Sequence, residues 1–172
     1  MRRVKGFVVA GLAGSLLILA SGIANAEDIS GVIVRTLLLS ENTRLVGDVT
    51  CRVTGAACIS FGAPSITLSL NGFTITGQAD PATGCKGVVV GGEVGINTNG
   101  QGNVGVRGPG VVQNFQADGI LFVGSIGGQV EGVTVTTNCL SGVRINPTSS
   151  QIRVEGIVSV RNGNATNPCG GI

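Results

Sequence analysis

The chain has 172 residues, of which 42% are hydrophobic and only 12% charged, with a formal charge of +2. Thirty glycines among many valines, with so few charges, exclude a disordered linker. The complete lack of His, Trp and Tyr removes the commonest general base, the commonest metal ligand and the two aromatics best suited to stacking on sugars.

The amino-terminal 26 residues read as a secretory signal peptide. Arg2, Arg3 and Lys5 form a basic start, residues 6–20 are apolar, and Ala24-Asn25-Ala26 is a small-residue cleavage site before Glu27. The apolar run is short for a membrane span of roughly 20 residues and ends in small residues rather than a charged stop. Cleavage leaves 8 Lys+Arg against 9 Asp+Glu, a charge of −1, with Lys86 the only lysine. Such a chain has no basic face for nucleic acid. An exported chain, periplasmic or extracellular, is expected, with no membrane span once the signal is removed.

Five cysteines lie in the exported part, so disulfides are expected. Cys51 and Cys58 bracket the short turn CRVTGAAC and can close it. Further along, residues 104–114 (VGVRGPGVVQN), 130–138 (VEGVTVTTN) and 154–162 (VEGIVSVRN) superimpose at a step of 24 residues. Val106, Val130 and Val154 share a column, as do Gly108, Gly132 and Gly156, and Asn114, Asn138 and Asn162. A fourth copy, residues 68–78 (LSLNGFTITGQ), sets Leu70, Gly72 and Ile75 under Val106, Gly108 and Val111. Period-2 apolar runs repeated at this interval, without a helical pattern, predict a stacked solenoid. The expected fold is all-β: a right-handed, single-stranded parallel β-helix of about 5 coils of roughly 23–24 residues. It occupies residues 27–172 and is expected to be truncated at its C-terminal end, because Ile172 falls where a new coil begins.

The alternation assigns inward stacks. One is Val88, Ile120, Val143 and Ile172, with Val90, Phe122 and Ile145 beside it. A second is Leu70, Val106, Val130 and Val154, and a third is Phe73, Pro109, Val133 and Ile157. The three asparagines should form an amide ladder at one corner, a structural role. Outward on the third face lie Thr74, Thr134 and Thr136. A regular threonine array there would suggest ice binding, but Gly110, Val112, Val158 and Val160 are expected to interrupt it. The repeat is stretched between Ala79 and Thr98, and residues 80–85 and 162–169 read as protruding loops. Cys139 and Cys169 occupy nearly the same place on successive coils and are expected to bridge, whereas Cys85, one coil further away, should be free or bridge elsewhere.

One outward column carries candidate chemistry: Arg107, Glu131 and Glu155. Two carboxylates about one coil apart, roughly 5 Å, would match a retaining glycosidase pair. The competing reading is an exposed ladder, Arg107 to Glu131, with Arg153 or Arg144 near Glu155, which contributes little stability. No C-x-x-C pair or other metal spacing occurs, so neither metal nor cofactor is expected.

Residues 66–77 (ITLSLNGFTITG) resemble the first coil of bacterial right-handed β-helix proteins, pectate-lyase-like in fold and often labelled NosD-type after the periplasmic copper-binding family. The tandem GI/GV, VEGI and RNG coils and the closing Cys169-Gly170-Gly171-Ile172 are similar too. The resemblance implies the fold. The copper label would need His or Met, and the exported chain has neither. Lyase chemistry in that superfamily uses clustered acidic Ca²⁺ ligands beside a basic residue. No three of Asp48, Asp80, Glu93, Asp118, Glu131 and Glu155 share one position, so no catalytic residue carries over. The expected function is an exported module presenting a surface to polysaccharide or to a cell-envelope protein. The alternative is the N-terminal part of a polysaccharide-acting lyase, epimerase or hydrolase whose site lies partly beyond residue 172.

Overall fold

The computed structural model describes residues 27–79, 85 and 92–163. The signal segment, Val88, Val90, Ile172 and the two expected loops, Cys85 and residues 162–163 apart, lie outside the described residues. Within them, strands follow one another with no helix: β1 (Glu27–Ile33), β2 (Leu37–Leu39), β3 (Thr43–Cys51), β4 (Ala57–Phe61), β5 (Thr67–Ser69), β6 (Thr74–Thr76), β7 (Val94–Asn97), β8 (Gly105–Arg107), β9 (Val111–Gln113), β10 (Ile120–Phe122), β11 (Gln129–Glu131), β12 (Thr134–Thr136), β13 (Val143–Ile145), β14 (Arg153–Glu155) and β15 (Val158–Val160). Every pairing between them is parallel.

The strands form three stacks. One runs β5, β8, β11, β14, a second β6, β9, β12, β15, and a third β2, β4, β7, β10, β13. The nine-residue β3 belongs to both of the first two: Thr43 and Arg44 pair with β5, while Val49 and Thr50 pair with β6. The result is an all-β, strongly curled, solenoid-like arrangement in which each repeat adds one strand to each stack. Alternation explains the curl. In β3, Thr43, Leu45, Val49 and Cys51 are buried, while Arg44, Val46 and Thr50 face out. One inward column is Thr43, Leu68, Val106 and Val130, another Val49, Ile75, Val112 and Val135, and a third Ile59, Ile96, Ile120 and Val143. All are 0–1% exposed, and each such aliphatic contributes about 1.5–3 kcal/mol by leaving water.

The column Val106, Val130, Val154 stands as the repeat predicts. Four other assignments shift. Leu68, not Leu70, lies under Val106, and Ile75 lies under Val112 rather than Val111. Ile96, not Val88, pairs with Ile120, so β7 is a regular strand inside the segment expected to be stretched. Gly110 takes the place expected of Pro109: its carbonyl accepts from Thr134, as that of Val133 accepts from Val158. The cause of the last shift is one extra residue at the corner. Three residues separate β8 from β9, but two separate β11 from β12 and β14 from β15. Gly108 makes this corner tight, since a Cβ there would sit 1.9 Å from the Gly132 carbonyl oxygen.

The same slip alters the asparagine corner. Asn138 and Asn162 form the expected ladder: the Asn162 side-chain oxygen accepts from the Asn138 backbone N–H at 3.0 Å and from its Nδ2 at 2.9 Å. The Asn138 oxygen then accepts not from an asparagine but from the Phe115 N–H at 3.1 Å. Asn114 sits one position earlier, at a left-handed corner shared with Thr137 and Arg161, and accepts from the Thr137 hydroxyl.

Cys51 and Cys58 are bridged, with Cα atoms 5.8 Å apart. The expected Cys139–Cys169 bridge is corrected: Cys139 is bonded to Cys85, across 54 residues, with Cα atoms 5.6 Å apart. The expectation rested on placing Val88 beneath Ile120. With Ile96 in that place, Cys85 falls in additional chain ahead of β7, outside the stacking register, and is not held one coil away from Cys139. Two disulfides point to an oxidising, non-cytoplasmic environment.

Candidate functional site

The outward residues of the first stack form two columns in register. Arg44, Ser69, Arg107, Glu131 and Glu155 make one, with Asp28 opposite Arg44 at its start. Thr67, Gly105, Gln129 and Arg153 make the other, two residues earlier along each strand. Parallel pairing sets like positions about 4.8 Å apart, so this side is a ladder of charges. Arg44 binds Asp28 through both carboxylate oxygens, at 2.6 and 3.2 Å, and that hydrogen bond holds the Asp28 carboxyl below its usual range. Arg107 approaches Glu131 to 3.9 Å, and Arg153 pairs with Glu155 at 2.5 Å. Gln129 donates to Glu131 at 2.9 Å.

The three candidates Arg107, Glu131 and Glu155 are therefore brought together on adjacent strands, side by side and about half exposed. Of the two arginines considered as partners for Glu155, Arg153 fills the role. Arg144 instead lies 3.0 Å from Asp118 on the third stack.

Beside the charged column lies an open depression of about 280 Å³, lined by Thr67, Asn103, Val104, Gly105, Arg107, Gly127, Gly128, Gln129 and Arg153. Its position follows from one missing side chain. Gly105 stands between Thr67 and Gln129, and a Cβ there would meet the Thr67 side chain at 3.1 Å. The depression gathers two guanidinium groups, two side-chain amides and one hydroxyl, a set rich in donors. Glycine usually marks a corner in such a repeat, so nothing in the sequence sets this one apart as a notch.

Two carboxylates, Glu93 and Asp118, are buried, which the sequence pattern does not mark. Glu93 is 1% exposed and accepts from the Gln78 backbone N–H at 2.9 Å, and burial pushes its pKa up against that bond. Asp118 is fully buried, and burial raises its pKa while Arg144 and the Ser141 N–H pull it down. The Asp118 oxygen nearest Arg144 lies within ion-pair distance but outside hydrogen-bond geometry. Both groups are enclosed in the stack rather than set at a surface. Comparison with protein families, with curated proteins and with solved structures gives no match to this chain.

Proposed function

We propose that this chain is an exported right-handed parallel β-helix module, pectate-lyase-like and NosD-type in architecture, whose charged face binds a polysaccharide of the cell envelope. The basic, then apolar, then small-residue start and the two disulfides support export. The three parallel stacks support the helix. The observation that carries the binding reading is the open depression at Gly105, where Arg107 and Arg153 stand beside Asn103, Gln129 and Thr67. Guanidinium and amide donors on rigid strands suit carboxylates and hydroxyls of an acidic sugar chain. No aromatic platform is required when recognition runs through hydrogen bonds.

Calorimetric titration of the oxidised protein with an acidic polymer such as polygalacturonate, and with a neutral one, tests this. Arg107→Ala and Arg153→Ala should each weaken binding of the acidic polymer and reduce its salt dependence. Binding unchanged in both variants, or no binding to either polymer, would overturn it. A second reading, an enzyme acting on such a chain, is favoured by the registered pair Glu131 and Glu155. Turnover of the polymer that disappears in Glu131→Gln with binding retained would select it.

A further inference from the structure

The second stack turns a different face to solvent. Its outward positions are Thr74, Val111, Thr134 and Val158 in one column, and Thr76, Gln113, Thr136 and Val160 in the other. The shift at the Gly108 corner produces this array. Gly110 and Val112, expected to break it, are respectively ahead of the strand and buried inside. Val158 and Val160, also expected to break it, occupy its last rung and are 51% and 45% exposed. We propose that this face binds ice.

Three properties of the face point to a crystalline, uncharged ligand. First, none of the eight positions carries a charge, and Asp48 of β3, which precedes Thr74 in its column, puts one only at the end of the array, whereas the neighbouring face carries Arg107, Glu131, Arg153 and Glu155. The matching ligand is neutral. Second, the side chains lie on a two-dimensional lattice. Rungs are about 4.8 Å apart, and outward neighbours within a strand are about 6.6–6.8 Å apart. These spacings approximate repeats between oxygens on growth faces of hexagonal ice. Third, the groups are stiff. Seven of the eight are threonine or valine, whose branched Cβ leaves few rotamers. The eighth, Gln113, is held down by a hydrogen bond from its Nε2 to the Thr76 hydroxyl at 3.3 Å. Ile75, Val112 and Val135 beneath are 0% exposed and lock the strands that carry them.

The alternatives fit less well. Four rungs by two columns cover a few hundred Å², well below the roughly 800 Å² per partner of a stable protein interface. A crystalline polysaccharide would call for aromatic rings, and the face has none. Ordered water needs neither area nor rings. Hydroxyls hold water at lattice positions, while methyl groups between them leave troughs that favour an ordered, cage-like shell.

The test uses the full, oxidised protein in ice recrystallisation and in single-crystal growth under a microscope. Wild type is expected to slow grain coarsening and to facet the crystals. Thr134→Lys, which puts a charge at the middle of the array, should abolish both effects with an unchanged circular dichroism spectrum. Ile126→Lys, at an exposed site off this face, should retain them. Folded wild type that leaves coarsening at the level of an inert protein would overturn the proposal. So would Thr134→Lys behaving as wild type. Should that variant misfold, fluorescently labelled wild type decides the matter: incorporation into a growing ice front supports the proposal and exclusion from it overturns it. This face is separate from the depression at Gly105, so failure of either reading leaves the other standing.

Discussion

The first and second stacks are made by the same repeats, share an interior and meet at the same glycine corner, yet they turn opposite chemistries to water. One displays arginines and glutamates side by side around a notch. The other displays mostly threonine and valine, with Asp48 its one charge, at the β3 end. The difference teaches where the repeat is constrained. Inward positions, Thr43 and Ser159 apart, are apolar, because each is stacked on its equivalents above and below. Outward positions touch other outward positions, along the column or along the strand, so a whole face can drift towards charge or towards neutrality without disturbing the core. Fold is carried by one parity and by the corners, and surface chemistry by the other.

This division can be broken by substitutions ranked by expected effect. The largest should come from the long disulfide. Closing 54 residues restricts the unfolded chain by about 4 kcal/mol, against about 2 kcal/mol for the seven-residue Cys51–Cys58 loop. Cys85→Ser with Cys139→Ser should therefore lower the urea midpoint more than Cys51→Ser with Cys58→Ser. The reverse order would show that the stacked coils already hold residue 85 without the bond.

Next is the corner. Asn138→Ala leaves the Phe115 N–H without its partner and breaks the side-chain ladder to Asn162 inside the stack. The cost should be about 3 kcal/mol by denaturant unfolding. Thr136→Ala, two residues away on the outward face, should cost only a few tenths. Equal losses would mean that the faces carry stability after all.

Smaller still is the effect of acid and base on the enclosed carboxylates. Glu93 has a pKa raised above its ordinary 4.5 and Asp118 above its ordinary 3.8. In the folded chain each holds its proton to higher pH than in the unfolded chain. Between the ordinary and the raised values the folded state thus binds more protons, and stability falls as pH rises through that window. Urea midpoints from about pH 4 to pH 8 should show this decline, and Glu93→Gln should flatten part of it. A stability that rises across the same range would contradict burial as the dominant influence on the two groups.

Smallest is the charged face itself. Glu131→Gln removes a half-exposed partner 3.9 Å from Arg107 and should change stability by no more than about 0.5 kcal/mol. A loss several times larger would make the ladder a structural element and blur the separation of the two faces.

The sequence shows the alternation and the 24-residue step directly, and the fold keeps both: Val130 lies between Val106 and Val154, and Glu131 between Arg107 and Glu155. What it hides is register. Leu68 and Leu70 are both inward, so a shift of two residues satisfies the same apolar pattern, and only pairing with Val106 chooses between them. Val88 and Ile96 each follow a glycine, Gly87 and Gly95, so the pattern alone lets either stand beneath Ile120. The displaced strand carried the Cys85 assignment with it. For the site, the outward glutamates were legible because parity alone places them. The notch at Gly105 was not, because a glycine that opens a surface looks the same as one that turns a corner.

The extra residue between β8 and β9 has a consequence for how such a molecule can change over time. Had it entered a strand, every side chain after it would have swapped inside for outside. Placed at the bend, it is absorbed, and β9 resumes with Val112 inside as if nothing had been added. The bend behaves as an expansion joint. Length can vary there by insertion or deletion while the two surfaces on either side stay in phase. A family descended from this chain would then differ in repeat length far more than in the chemistry of its faces, and a foreign segment grafted at Pro109 would ride on the scaffold without being read by it.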